Sequence, residues 1–128
     1  MANLLERGAA WLSRQRTQHC ASLVTYEDHG SRVDVRATVG RTAFEQVDEF
    51  GVVHRTESRD FLIAAEDLVL DGAVVLPRGG ARIREPAGGQ TFVYEVMAPG
   101  GEPPWRYSDA FRRTLRIHTK HVATETGE

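Results

Sequence analysis

The feature that most constrains this chain is a two-residue alternation that begins near Ser22 and is interrupted roughly every 8–12 residues by turn-forming residues. Val33, Val35, Ala37 and Val39 alternate with Asp34, Arg36 and Thr38, which puts the apolar side chains on one face of a strand. Leu115, Ile117 and Thr119 alternate in the same way with Arg116, His118 and Lys120. Segments around Leu23–Tyr26, Arg82–Arg84 and Thr91–Met97 read as further strands, and Phe61-Leu62-Ile63 as a strand buried on both faces. Gly40 is read as the end of the strand that contains Val33, with Phe44 and Val47 in a separate one. Turns are expected at His29-Gly30-Ser31, Glu49-Phe50-Gly51, Pro77–Gly80 and Gly88-Gly89, and a single helical turn at Ala65–Leu68. Asp71-Gly72 is a hairpin signal. Many short strands with regular turns predict a mainly β fold, a small antiparallel barrel or sandwich.

The N-terminal segment follows a different period. Leu4, Leu5, Gly8, Trp11, Leu12 and Gln15 recur at helical spacing behind Asn3, a candidate N-cap, so one helix is expected over about 3–19. A helix this short is marginal alone and needs a surface, its own sheet or a neighbouring subunit. At 128 residues the chain fits a single domain, 1–128, with the β-barrel over about 22–122 and a frayed tail at 123–128. The Gly- and Pro-rich loop from Pro99 to Pro104 reads as the least structured stretch, and the sequence leaves open whether it is an arm that orders on meeting a partner.

Several function classes lose support at once. A net charge of −2 argues against an electrostatic nucleic-acid binder. The longest apolar runs are too short to span a bilayer, and Glu6 and Arg7 interrupt any secretory pattern. One cysteine, Cys20, excludes an internal disulfide framework and points to a reducing compartment. The sequence holds no Gly-x-Ser-x-Gly elbow, His-Glu-x-x-His, Cys-x-x-Cys or phosphate-binding glycine loop. His118 and His121 are three apart, so on a strand they face opposite ways. Glu57 with Asp60 and Glu66 with Asp67 lie in acidic stretches that read as solvated faces. No enzyme activity, cofactor or metal is expected.

Charge is distributed unevenly. Thr42 to Asp71 contains eight acids and two bases, whereas Arg106 to Val122 contains five bases and one acid. Opposed patches suit head-to-tail self-assembly; strand pairing between the two segments inside one subunit explains them equally well. Trp105 and Tyr107, beside the basic segment, are residue types that anchor interfaces, and both also suit plain core packing.

The order of several segments resembles a known family. It runs from Trp11-Leu12 in the helix through Ala21-Ser22-Leu23-Val24-Thr25-Tyr26, Val35-Arg36-Ala37-Thr38-Val39-Gly40 and Ser58-Arg59-Asp60-Phe61-Leu62-Ile63. It continues through Pro77-x-x-Gly80-x-x-Ile83, Tyr94-Glu95-Val96 and Trp105-Arg106-Tyr107-Ser108-Asp109 to Leu115-Arg116-Ile117-His118-Thr119. From about Leu4 to Lys120 this resembles the head–tail joining, head-closure or stopper proteins of long-tailed phages and prophages. Ala81 departs from the pattern, standing where the family turn has Asp. The resemblance implies a small β-barrel assembled as a ring, six-fold or twelve-fold, at the virion neck. Its expected neighbours are portal or adaptor proteins and tail proteins, with DNA crossing the lumen without being read. It implies no catalysis and no membrane, and assembly in the host cytoplasm. Related barrels build tail-terminator and tail-tube rings, which is the nearest alternative. An alternative of another class is a small ligand-binding or enzymatic β-barrel. The subunit or partner interface is expected at Trp11, Asp60, Trp105, Arg106, Tyr107, Arg112, Arg113 and Arg116.

Overall fold

The structure, a computed structural model, describes residues 5–8, 10 and 21–126. Residues 5–8 and 10 are helical; the rest of the expected helix, with Trp11 and Cys20, lies outside the described residues. From Ser22 onward the chain is mostly antiparallel strand: β1 (Ser22–Asp28), β2 (Ser31–Val47), β3 (Val53–Ala64), β4 (Val69–Leu70), β5 (Ala73–Val74), β6 (Arg82–Ala87), β7 (Gln90–Val96), β8 (Trp105–Tyr107) and β9 (Thr114–Thr126). β4 and β5 form a separate small hairpin. Its turn residues Asp71 and Gly72 both adopt left-handed backbone, with φ of 53° and 81°, the geometry that matches the twist of adjoining strands.

The main sheet closes on itself. Pairing runs β3-β2-β1-β6-β7-β9, and β9 pairs again with β3. β9 does this by offering different stretches to different neighbours. Thr114–Thr119 pair with β3, Leu115–Ile117 with β8, and Thr119–Thr126 with β7. The inward face is the one set by the alternation. Val35, Ala37, Phe61, Ile63, Leu115 and Ile117 join Val24, Tyr26, Ile83, Tyr94 and Val96 in one core, and Leu68 and Leu70 contribute from the segment around β4. Tyr26, Phe61, Ile63, Ile83, Leu115 and Ile117 have no exposed surface. Burial on this scale stabilises by roughly 1.5–3 kcal/mol for each large apolar side chain.

Three expectations need correction. Gly40 does not end a strand: it sits inside β2 opposite Asp60. A Cβ there would lie 3.1 Å from Arg116 Nη1 and 3.4 Å from Leu62 Cδ1, so the strand needs glycine where a guanidinium crosses it. The last strand does not fray at Ala123 but runs to Thr126 against Gln90, with Arg84 Nη1 donating to Glu125 Oε1 at 2.8 Å. The Pro99–Pro104 loop is no free arm. Pro99 is buried, Glu102 N donates to Pro99 O at 2.8 Å, and His118 N donates to Pro104 O at 2.9 Å, tying the loop to β9.

Candidate interaction surface

The element that does project is the β2–β3 hairpin. β2 has 17 residues, well beyond the usual strand length. Its Ser31–Ala37 half pairs with β1 and its Ala37–Val47 half with β3. Only Arg59–Ala64 of β3 pairs with β9. Residues 42–47 and 53–58 therefore continue past the pairing with β9 as a two-stranded arm, with Phe44 resting on His118 and Gln46 beside Gly100. Cross-strand ion pairs run along it: Arg55 Nε to Glu45 Oε1 at 3.0 Å and Arg41 Nη1 to Glu57 Oε1 at 3.6 Å. Both are exposed and contribute little individually.

The tip of the arm is tightly organised. Asp48 Oδ1 accepts hydrogen bonds from Phe50 N at 2.8 Å and Val52 N at 2.9 Å, and Asp48 Oδ2 lies 2.8 Å from His54 Nε2. These bonds, that from His54 foremost, hold the Asp48 carboxyl below its ordinary pKa. The turn they fix displays Phe50, 82% exposed, with Val47, Val52 and Val53 also exposed beside it.

Where the arm leaves the sheet, a buried anion ties three strands together. Asp60 has no exposed surface. Its Oδ2 accepts from Arg116 Nη1 at 2.7 Å and from the Thr42 hydroxyl; its Oδ1 accepts from Ser58 Oγ at 2.5 Å and His118 Nδ1 at 2.9 Å. Burial alone would raise the Asp60 pKa, but the hydrogen bonds from His118, Ser58, Thr42 and Arg116 together outweigh it and hold the carboxyl well below the usual carboxylate range. Phe44 meets the His118 ring edge-on, with centroids 5.1 Å apart. Ser, His and Asp thus lie together, yet the Ser58 hydroxyl donates to the carboxylate and lies near Nδ1, not Nε2. That is the hydrogen-bond cage of a buried anion, unlike the geometry of a nucleophile with its base.

The far end of β3 holds a hollow of about 460 Å³. Among the described residues it is lined by Ala10, Ala64, Ala65 and Val74, with Glu66, Arg112 and Arg113 around them. Asp109 shapes this rim: Oδ1 accepts from Arg113 N at 3.0 Å and Thr114 N at 2.9 Å, and Oδ2 from Phe111 N at 3.2 Å. The tight turn puts Arg112 in left-handed backbone, φ 58°, and its guanidinium lies 5.9 Å from the Tyr107 ring centroid. Arg113 Nη2 donates to Glu6 Oε1 of the N-terminal helix at 3.2 Å.

The family model for phage head-tail joining proteins matches residues 2–126. The chain belongs to that family. No curated protein matches its sequence. Membership gives this head–tail joining protein a structural role at the phage neck, in contact with head and tail proteins.

The residues expected at an interface of the joining protein are dispersed. Arg106, Arg112 and Arg113 are exposed. Trp105 and Tyr107 are half-buried against the core and meet edge-to-face at 5.0 Å. Asp60 and Arg116 are each other's partners inside the subunit, so the acidic and basic segments meet within one chain where β3 pairs with β9. Trp11 lies outside the described residues. Sequence reasoning placed the turn at Glu49-Phe50-Gly51 but missed that its two strands extend as an arm with an exposed tip. The available signal was the pairing of Thr42–Val47 with Val53–Glu57 around Asp48-Glu49-Phe50-Gly51, hidden by taking Gly40 as a strand end.

Proposed function

We propose that this protein assembles as a ring between the capsid portal and the tail, with DNA crossing its lumen, and that it acts without catalysis. The supporting observation is the arm. A closed sheet leaves few free strand edges, yet this one sends out a hairpin whose outer edges pair with no further strand among the described residues and whose apolar tip residues are exposed. Such an element suits contact with another protein. The same chain carries a hollow elsewhere, as head-to-tail contacts in a closed ring require.

The test is electron microscopy of particles made without this protein. DNA-filled heads and separate, normal-length tails are expected, with joining restored when purified protein is added. Tails of abnormal length would favour the tail-terminator reading instead, and complete joined particles would refute a joining role.

A further inference from the structure

We propose that Phe50, at the arm tip of one subunit, seats in the hollow formed by Ala64, Ala65 and Val74 of a second copy, with Glu49 meeting Arg112 of that copy. The proposal rests on the ring reading and names its contact.

Four observations converge. The first is the knob. Phe50 is the most exposed large apolar side chain among the described residues, and Asp48 braces the turn under it through two backbone hydrogen bonds. A turn held in place loses little backbone freedom on binding. The second is the size of the hollow. A cavity of about 150 Å³ takes a benzene ring, and this hollow measures about 460 Å³ with Ala64, Ala65 and Val74 in its lining.

The third is charge. The tip carries Asp48 and Glu49, and the hollow is lined by Arg112 and Arg113 against one acid, Glu66; Arg113 is paired with Glu6, so Arg112 is the cation offered to Glu49. A second hollow of about 590 Å³, beside Leu70 and Leu76, is also apolar in part, but its one guanidinium, Arg78, is paired with Asp28, and Asp71 adds a further acid that disfavours the tip. Charge therefore selects the first. The fourth is position. Tip and hollow lie beyond opposite ends of β3, whose 12 residues span about 36 Å at roughly 3.3 Å per residue. A subunit's own tip is a strand's length from its own hollow. Each copy thus offers a knob at one end and a socket at the other, a heterologous contact that propagates until it closes.

Covalent trapping tests this in assembled particles. In a Cys20→Ser background, Phe50→Cys and Ala65→Cys are combined and the particles are mildly oxidised. A ladder of covalent multimers is expected from the double variant and none from either single variant. Particles that hold many copies of the chain and give no ladder overturn this contact while leaving the ring intact. Particles with a single copy overturn the ring reading and the contact with it. Should the cysteine variant yield no particles, a charge exchange decides. Glu49→Arg and Arg112→Glu should each reduce joining at least tenfold, and the two together should restore it. Failure of the pair to restore joining overturns the proposal.

Discussion

Replacing Asp60 with Asn tests whether the buried anion holds the arm to the sheet. The carboxylate satisfies four donors from three strands, and an amide can accept on one side only. The least costly arrangement turns the amide nitrogen towards Ser58 and His118, where a hydroxyl can rotate and an imidazole can change tautomer. Arg116 then keeps one acceptor but loses its counter-charge. Breaking a buried pair costs about 3–5 kcal/mol. The Arg116 side chain is 22% exposed and reaches some water, so Asn belongs near the lower end, about 3 kcal/mol. Asp60→Ala strands all four donors and belongs near about 5 kcal/mol. For a domain of this size about 3 kcal/mol lowers the melting temperature by roughly 10 °C. Urea unfolding followed by circular dichroism measures it directly. The acid dependence has a definite sign. The folded-state pKa of Asp60 is depressed, so its stabilisation is fully present above the unfolded value of about 3.9 and is lost as pH falls from there towards the folded pKa. The gap between wild type and Asn should therefore be constant at neutral pH and narrow below about pH 4. An Asn variant within 1 kcal/mol of wild type at pH 7 would refute the reasoning.

Three further outcomes are expected. Gly40→Ala should lower stability by about 1 kcal/mol, because its Cβ pushes on Arg116 and Leu62; pairing it with Arg116→Lys should recover part of the loss, as a thermal melt will report. Asp48→Ala should leave the melting transition in place while speeding amide exchange at Phe50 and Val52, whose N–H groups it holds. Trp105→Ala should cost about 2 kcal/mol, less than the loss of a fully buried Trp, since the ring is half-buried against Tyr107 and the core; unchanged unfolding in urea would show that its burial contributes nothing to the fold.

The strand content was readable because alternation is a local property. Val33 to Ala37 and Leu115 to Thr119 each show which face is buried without reference to the rest of the chain. The Asp71-Gly72 turn was equally local. What closes the sheet was not readable, because β9 meets β3 and β7 through partners far away in sequence. Gly40 misled for a related reason: its cause is a guanidinium 76 positions further on, while locally it reads as a strand end. Asp60 misled because a carboxylate in an acidic stretch is ordinarily solvated, and only the register that sets it opposite His118 shows it to be enclosed. Phe50 was seen as a turn residue, and its exposure becomes visible only once both arm strands extend beyond their neighbours.

The part played by β9 also sets when this protein can fold during its synthesis. Phe61 pairs with Ile117 and Ile63 with Leu115, so the sheet cannot shut until residues beyond Leu115 have left the ribosome. Until then the β1–β2–β3 meander and the β6–β7 hairpin can form only as an open surface with its apolar side uncovered. Pairings this distant also make for slow folding after release. At the ribosome, the nascent chain is thus a half-built sheet for most of its translation, and its last strand is the one that covers the open apolar side.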